Sequence, residues 1–140
     1  MKKEQITKKI FWKNMGNFKT RRAFFEELKK NNLLRKKIRI HFVSRNYLDA
    51  TELLDPQQTE LSENGLALRS LYNALGDELF FFYLEQYQDQ TITLSKKQLL
   101  NIEIFLSHKD GCNYILLANE YQLSYDNVRQ ICSRVAKFFS

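Results

Sequence analysis

Residues 111–139 read GCNYILLANEYQLSYDNVRQICSRVAKFF. Gly111 closes the preceding segment, Asn113 is placed to cap a helix over Tyr114–Tyr121, and Gln122–Leu123 leave room only for a tight turn. Ser124 then caps a last helix from Tyr125 to about Phe138. Helix, short turn and capped helix is the helix-turn-helix layout, here over residues 113–139. At about 100° per residue, Val128, Ile131, Cys132, Val135 and Phe139 share one stripe of that last helix. Asp126, Gln130, Ser133 and Lys137 fall opposite, flanked by Arg129 and Arg134. Ala118 is small where two helices must approach closely, and Leu123 plugs the turn between them.

Upstream, Ser95 followed by Gln98 is the signature of a capping box and opens a helix to about His108. From Leu66, the apolar positions Leu68, Leu71, Leu75 and Leu79 recur at helical spacing. Gly76 can end that helix and Asp77 can cap the next. The block LFFFYL, Leu79–Leu84, is apolar all round, which predicts burial in the core or in a subunit contact, the core being preferred. Residues 49–65 read as a linker, with the chain's only proline, Pro56, and the polar cluster Gln57–Glu60. Asn64–Gly65 would suit a hairpin, but its flanks do not alternate.

The N-terminal third reads as a helix over Glu4–Met15, stopped by Gly16, and a second over Thr20–Lys30 with Phe24, Phe25 and Leu28 inward. Leu33–Tyr47 is two-sided. Leu34, Ile38 and Phe42 suit a helix, whereas Ile38, Ile40 and Phe42 alternate like a strand. With no second convincing strand to pair with, the helix is preferred. The expectation is an all-α helical bundle with a C-terminal helix-turn-helix: a basic segment 1–48, a linker 49–65 and a helical domain 66–140.

Composition agrees with that fold class. Four Gly and one Pro in 140 residues starve turn-rich β architectures, and 44% apolar with 27% charged residues suits a globular chain. The longest apolar run falls far short of the roughly 20 residues of a membrane span. The opening MKKEQITKKIFWK lacks the apolar stretch of a secretory signal. Two cysteines, Cys112 and Cys132, cannot make a disulfide framework, so a reducing cytoplasm is expected. Charge is uneven. Residues 1–45 carry 15 Lys/Arg against 3 Asp/Glu, residues 46–110 carry 4 against 11, and residues 111–140 carry 3 against 2. A basic segment of this kind suits a polyanion or an acidic protein surface.

The stretch GCNYILLANEYQLSYDNVRQICSRV resembles the fourth region of bacterial sigma factors and related single-domain regulators. The Gly111-to-Ala118 spacing, Leu123, Ser124 and Val128–Arg129–Gln130–Ile131 carry the likeness, and LSKKQLLNIEIFLSHKDG resembles the supporting helix. The likeness covers about Leu94–Ser140. It departs at Gln122, where the family has Gly, at Leu116, where an acidic residue is usual, and at Tyr125 and Asn127, often basic. A target sequence is therefore not carried over. Nothing before Leu66 looks like the sigma region that contacts polymerase and melts promoters.

The resemblance implies that Asp126 and Gln130 read bases and that Arg129 contacts the backbone. The residue chemistry agrees: Gln pairs bidentately with adenine, Asp accepts from cytosine N4, and Arg binds phosphate or guanine. Asn127 and Ser133 join the candidate base-reading face. Ser124, Tyr125, Arg129, Arg134, Lys137, Lys36 and Lys37 are the candidate backbone contacts.

Enzyme chemistry has no assembled constellation. His41 and His108 are far apart, no CxxC or glycine-rich phosphate loop exists, and no metal or cofactor is expected. The expected function is sequence-specific DNA-binding transcription regulation in the bacterial cytoplasm. Double-stranded DNA is the partner, with RNA polymerase and a second copy of the chain as further partners. The alternative is a protein-interaction module, of the mobile-element or phage kind, that inhibits a host nucleic-acid machine and keeps the helix-turn-helix as scaffold.

Overall fold

Side-chain caps set most of the helix starts. The computed structural model describes residues 4–34, 36–44 and 61–139. Thr7 Oγ1 accepts from the Ile10 N–H at 3.2 Å, so the first helix, α1 (Lys8–Lys13), begins later than the expected Glu4. Asn17 Oδ1 accepts from the Thr20 N–H at 2.9 Å and starts α2 (Phe18–Lys30) two residues before the expected Thr20. Phe24, Phe25 and Leu28 are buried on α2, as their spacing predicts.

The stretch after α2 is a strand where a helix was preferred. β1 (Ile38–His41) pairs antiparallel with β2 (Thr91–Leu94), with Ile38 opposite Leu94 and His41 opposite Thr91. Ile38 and Ile40 are buried and Arg39 and His41 exposed, the alternation of a half-buried strand. The partner TITL is only four residues long, too short for its periodicity to show. Backbone pairing continues past the strand, because the Phe42 N–H donates to the Gln90 carbonyl at 2.9 Å.

Most of the expected linker, with Pro56, lies outside the described residues. α3 (Glu63–Gln86) is capped by Ser62, whose Oγ accepts from the Gly65 N–H at 3.0 Å. Asn64 and Gly65 thus form the first turn of a helix. Asn64 also exchanges two hydrogen bonds with the backbone of His41, at 2.8 and 3.2 Å, and so covers the end of β1. Gly76 sits inside α3 at φ +83 and ψ 175, outside helical space, so the helix is broken there. The Tyr72 hydroxyl donates to the Asp77 carboxylate across the break. Beyond it Phe80, Tyr83 and Leu84 are buried, but Phe82 is 45% exposed. The block expected to be buried all round therefore has one open side.

α4 (Lys96–Lys109) is capped by Ser95, whose Oγ accepts from the Gln98 N–H at 3.0 Å. The reciprocal half of the box is not made: Gln98 Oε1 is buried without a hydrogen-bond partner. The chain ends in α5 (Tyr114–Tyr121) and α6 (Tyr125–Phe139). The protein is mostly helical, with one two-stranded sheet among the described residues.

Buried residues from Ile6 to Phe139 form one hydrophobic cluster, which segments 1–48 and 66–140 share. Its aromatic centre joins the two ends of the chain. Phe139 packs on Trp12, Phe105 and Phe18 at centroid distances of 5.2, 5.8 and 6.0 Å, and Phe11 packs on Trp12 and Phe24 at 5.2 and 5.6 Å. Beside it lies the buried Arg21, whose guanidinium donates to the carbonyls of Trp12 (2.7 Å), Phe139 (3.0 Å) and Lys13 (3.3 Å). Burial lowers its pKa from the ordinary arginine range, yet a guanidinium stays charged at neutral pH. Arg21→Met should remove the donor to the Phe139 carbonyl and the second donor to those of Trp12 and Lys13, and destabilise the fold by about 1–3 kcal/mol in urea melts. Arg21→Lys should recover little of that, because an ammonium cannot span all three acceptors.

Candidate nucleic-acid interface

Local hydrogen bonds shape the α5–α6 pair. Asn113 Oδ1 accepts from the Leu116 N–H at 2.9 Å and starts α5. Gln122 takes the left-handed conformation, φ 55 and ψ 46, and the Leu123 N–H returns to the Ala118 carbonyl at 2.9 Å. Gln adopts this conformation at a modest strain that Gly would avoid. Ser124 Oγ then accepts from the Asn127 N–H at 3.1 Å and opens α6. Ala118 is buried on α5, and Leu123 is half-buried against the core.

The two faces of α6 divide as the sequence predicts. Val128, Ile131, Cys132, Val135 and Phe139 are buried. Ser124, Tyr125, Asp126, Asn127, Arg129, Gln130, Ser133, Arg134 and Lys137 are exposed. Asp126 and Arg129 approach to 3.7 Å in a loose surface pair. Asp126 also lies in the first turn, where a carboxylate suits the helix dipole.

Neighbouring elements hold this pair in place. The Tyr125 ring meets Tyr114 edge-on at 5.5 Å, and Tyr114 stacks on His108 at 4.2 Å. His108 Nδ1 lies 3.0 Å from the Cys112 carbonyl. The sequence places His108 at a helix end; in the fold it is also the base of an aromatic stack that reaches Tyr125. The Tyr121 hydroxyl donates to the Glu103 carboxylate at 2.6 Å, tying the end of α5 to α4. Burial, then that hydrogen bond, raises the Tyr121 pKa and keeps the donor protonated. Arg22 on α2 pairs with Asp110 at the foot of the α4–α5 turn, 2.5 Å apart.

The candidate backbone cations do not all gather beside α6. Lys36 is paired with Glu63 at 2.7 Å, next to the sheet, and Lys37 is exposed just before β1. Arg134 and Lys137 instead share a hollow with Lys8 and Lys9 of α1. Sequence reasoning missed those two lysines as part of this surface, because only the seating of Phe139 on Trp12 brings α1 to α6.

No group of three metal-ligating side chains occurs among the described residues. His41 Nδ1 lies 2.9 Å from Thr91 Oγ1 across the sheet. Cys112 and Cys132 are free thiols, and burial pushes the Cys132 thiol pKa up, away from the reactive thiolate. No helix of the described residues is long and apolar enough to cross a membrane. No protein-family model, curated protein or solved structure matches the chain.

Ala118→Leu should overpack the α5–α6 contact and lower stability by about 1–3 kcal/mol, read from the thermal midpoint. The Arg22 guanidinium holds the Asp110 carboxyl below its ordinary 3.8. A depressed carboxyl binds fewer protons folded than unfolded, so its contribution is present above that value and is lost as pH falls through the lower folded one. Asp110→Asn should therefore shift the urea midpoint at neutral pH, and the difference should shrink as pH falls below the ordinary carboxyl value.

Proposed function

We propose that the chain is a sequence-specific DNA-binding transcription regulator of sigma-like helix-turn-helix type, acting in the bacterial cytoplasm. The observation that carries this reading is the division of α6. Five buried apolar side chains fix its back, while Asp126, Asn127, Gln130 and Ser133 stand exposed with arginines on either flank. Short polar groups of this kind match base edges in the major groove, and flanking guanidiniums match phosphates. In this reading α6 lies in the groove and α5 crosses the backbone. Ser124, Tyr125, Arg129, Arg134 and Lys137 touch phosphates. Lys36 and Lys37, the former paired with Glu63, take the outer positions of the same role.

A second reading has its own support. Ile115 and Leu116 on α5 are 62% and 57% exposed, and Tyr125 is 49% exposed, an apolar surface suited to a protein partner. RNA polymerase fits there beside DNA. The interaction-module reading, with the motif as scaffold for inhibiting a host nucleic-acid machine, uses the same surface alone.

Selection of bound sequences from random duplex DNA, with and without core RNA polymerase, separates the two. The DNA reading expects an enriched site. Gln130→Ala should weaken that site by about 1–3 kcal/mol and relax preference at one base position, with random-duplex affinity unchanged. Intact preference in Gln130→Ala removes α6 as the reader and leaves the interaction module.

A further inference from the structure

Two adjoining hollows lie between α1, α4 and α6. One is lined by Lys8, Lys97, Gln98, Asn101 and Arg134 among others, and its neighbour by Lys8, Lys9, Gln98, Arg134, Lys137 and Phe138. They share Lys8, Gln98, Arg134 and Phe138, so together they make one groove. Five cations from three helices line it, and no carboxylate does among the described residues. Lys8, Lys9, Lys97, Arg134 and Lys137 are all exposed, and none forms an ion pair among the described residues. Five like charges left together without counter-charges repel one another, and an external anion relieves that repulsion.

We infer that this groove, whose lining does not include Lys36 or Lys37, holds the phosphodiester backbone of duplex DNA beside α6. The inference rests on the DNA reading above and adds the residues that anchor one strand. Two observations favour an extended polyanion. The groove adjoins the candidate reading face, since Arg134 follows Gln130 by one turn and its Nε–H points at the Gln130 carbonyl, 3.5 Å away. Its cations are distributed over three elements instead of converging on one point. The start of α4 adds the positive end of its helix dipole, with Ser95 and Lys97 on the wall. A helix in the major groove is bordered by phosphates, so a cationic wall along one flank of α6 meets the backbone as the helix enters. Lys36, neutralised by Glu63, lacks that free charge.

The test compares two triple variants of the full chain with equal loss of charge. One is Lys8→Gln, Lys9→Gln, Lys97→Gln in the groove; the other is Lys19→Gln, Lys29→Gln, Lys30→Gln on the exposed side of α2. Circular dichroism melts confirm that both fold. Affinity for random and selected duplexes is then measured by fluorescence anisotropy across a salt series. The groove variant should flatten the slope of log affinity against log salt by about 2–3 units, while its preference among sequences persists. The α2 variant should leave the slope unchanged. Equal flattening by both variants, or none by the groove variant, overturns the groove while the DNA reading stands. Wild-type protein that binds no duplex at low salt overturns both.

Discussion

The seating of Phe139 among Trp12, Phe18 and Phe105, with its carbonyl held by Arg21, is the contact on which the rest of the molecule depends. It closes a chain whose interacting residues lie 118 positions apart. Burying aromatic rings supplies the driving force, and the edge-on and tilted ring pairs fix the geometry. The guanidinium is a further donor to the Trp12 and Lys13 carbonyls, which also accept from the Met15 and Gly16 N–H groups, and it donates to the Phe139 carbonyl at the end of α6. The ends of both helices therefore meet at the same side chain.

That closure orders the candidate interface. The back of α6 is fixed by its apolar stripe, and its front is left to solvent. Around the front stand groups from distant parts of the chain: Lys8 and Lys9 from α1, Lys97 from α4, and the His108–Tyr114–Tyr125 stack. The strongly basic N-terminal third is thus divided. Phe11, Trp12, Phe24 and Phe25 go into the core, and the lysines between them reach the surface at positions that the core dictates. Basic residues interleaved with aromatics are here an amphipathic pattern, with the rings structural and the ammonium groups free for a partner.

Much of the candidate interface was legible residue by residue. Asn113 and Ser124 cap the helices they were expected to cap, Gln122 takes the left-handed turn, and the buried stripe of α6 is the one its periodicity predicts. The reading failed where a residue had a competing long-range partner. Ile38 and Ile40 pair with a strand more than fifty residues away, and a four-residue strand carries too little pattern to announce itself. Phe82 is exposed although its neighbours are all apolar, because α3 breaks at Gly76 and its second half buries only one side.

The sequence by itself determined what acts within about one helical turn: where helices begin, which face of each is apolar, and where the backbone must turn. These depend on side-chain oxygens reaching a nearby N–H and on the 3.6-residue period, so adjacent residues suffice. Tertiary structure alone decided the pairing of β1 with β2 and the meeting of Lys8 and Lys9 with Arg134 and Lys137. Each of these needs groups far apart in the chain to be brought together by burial of the aromatic core. The energy that does this belongs to the shared interior and to no local segment.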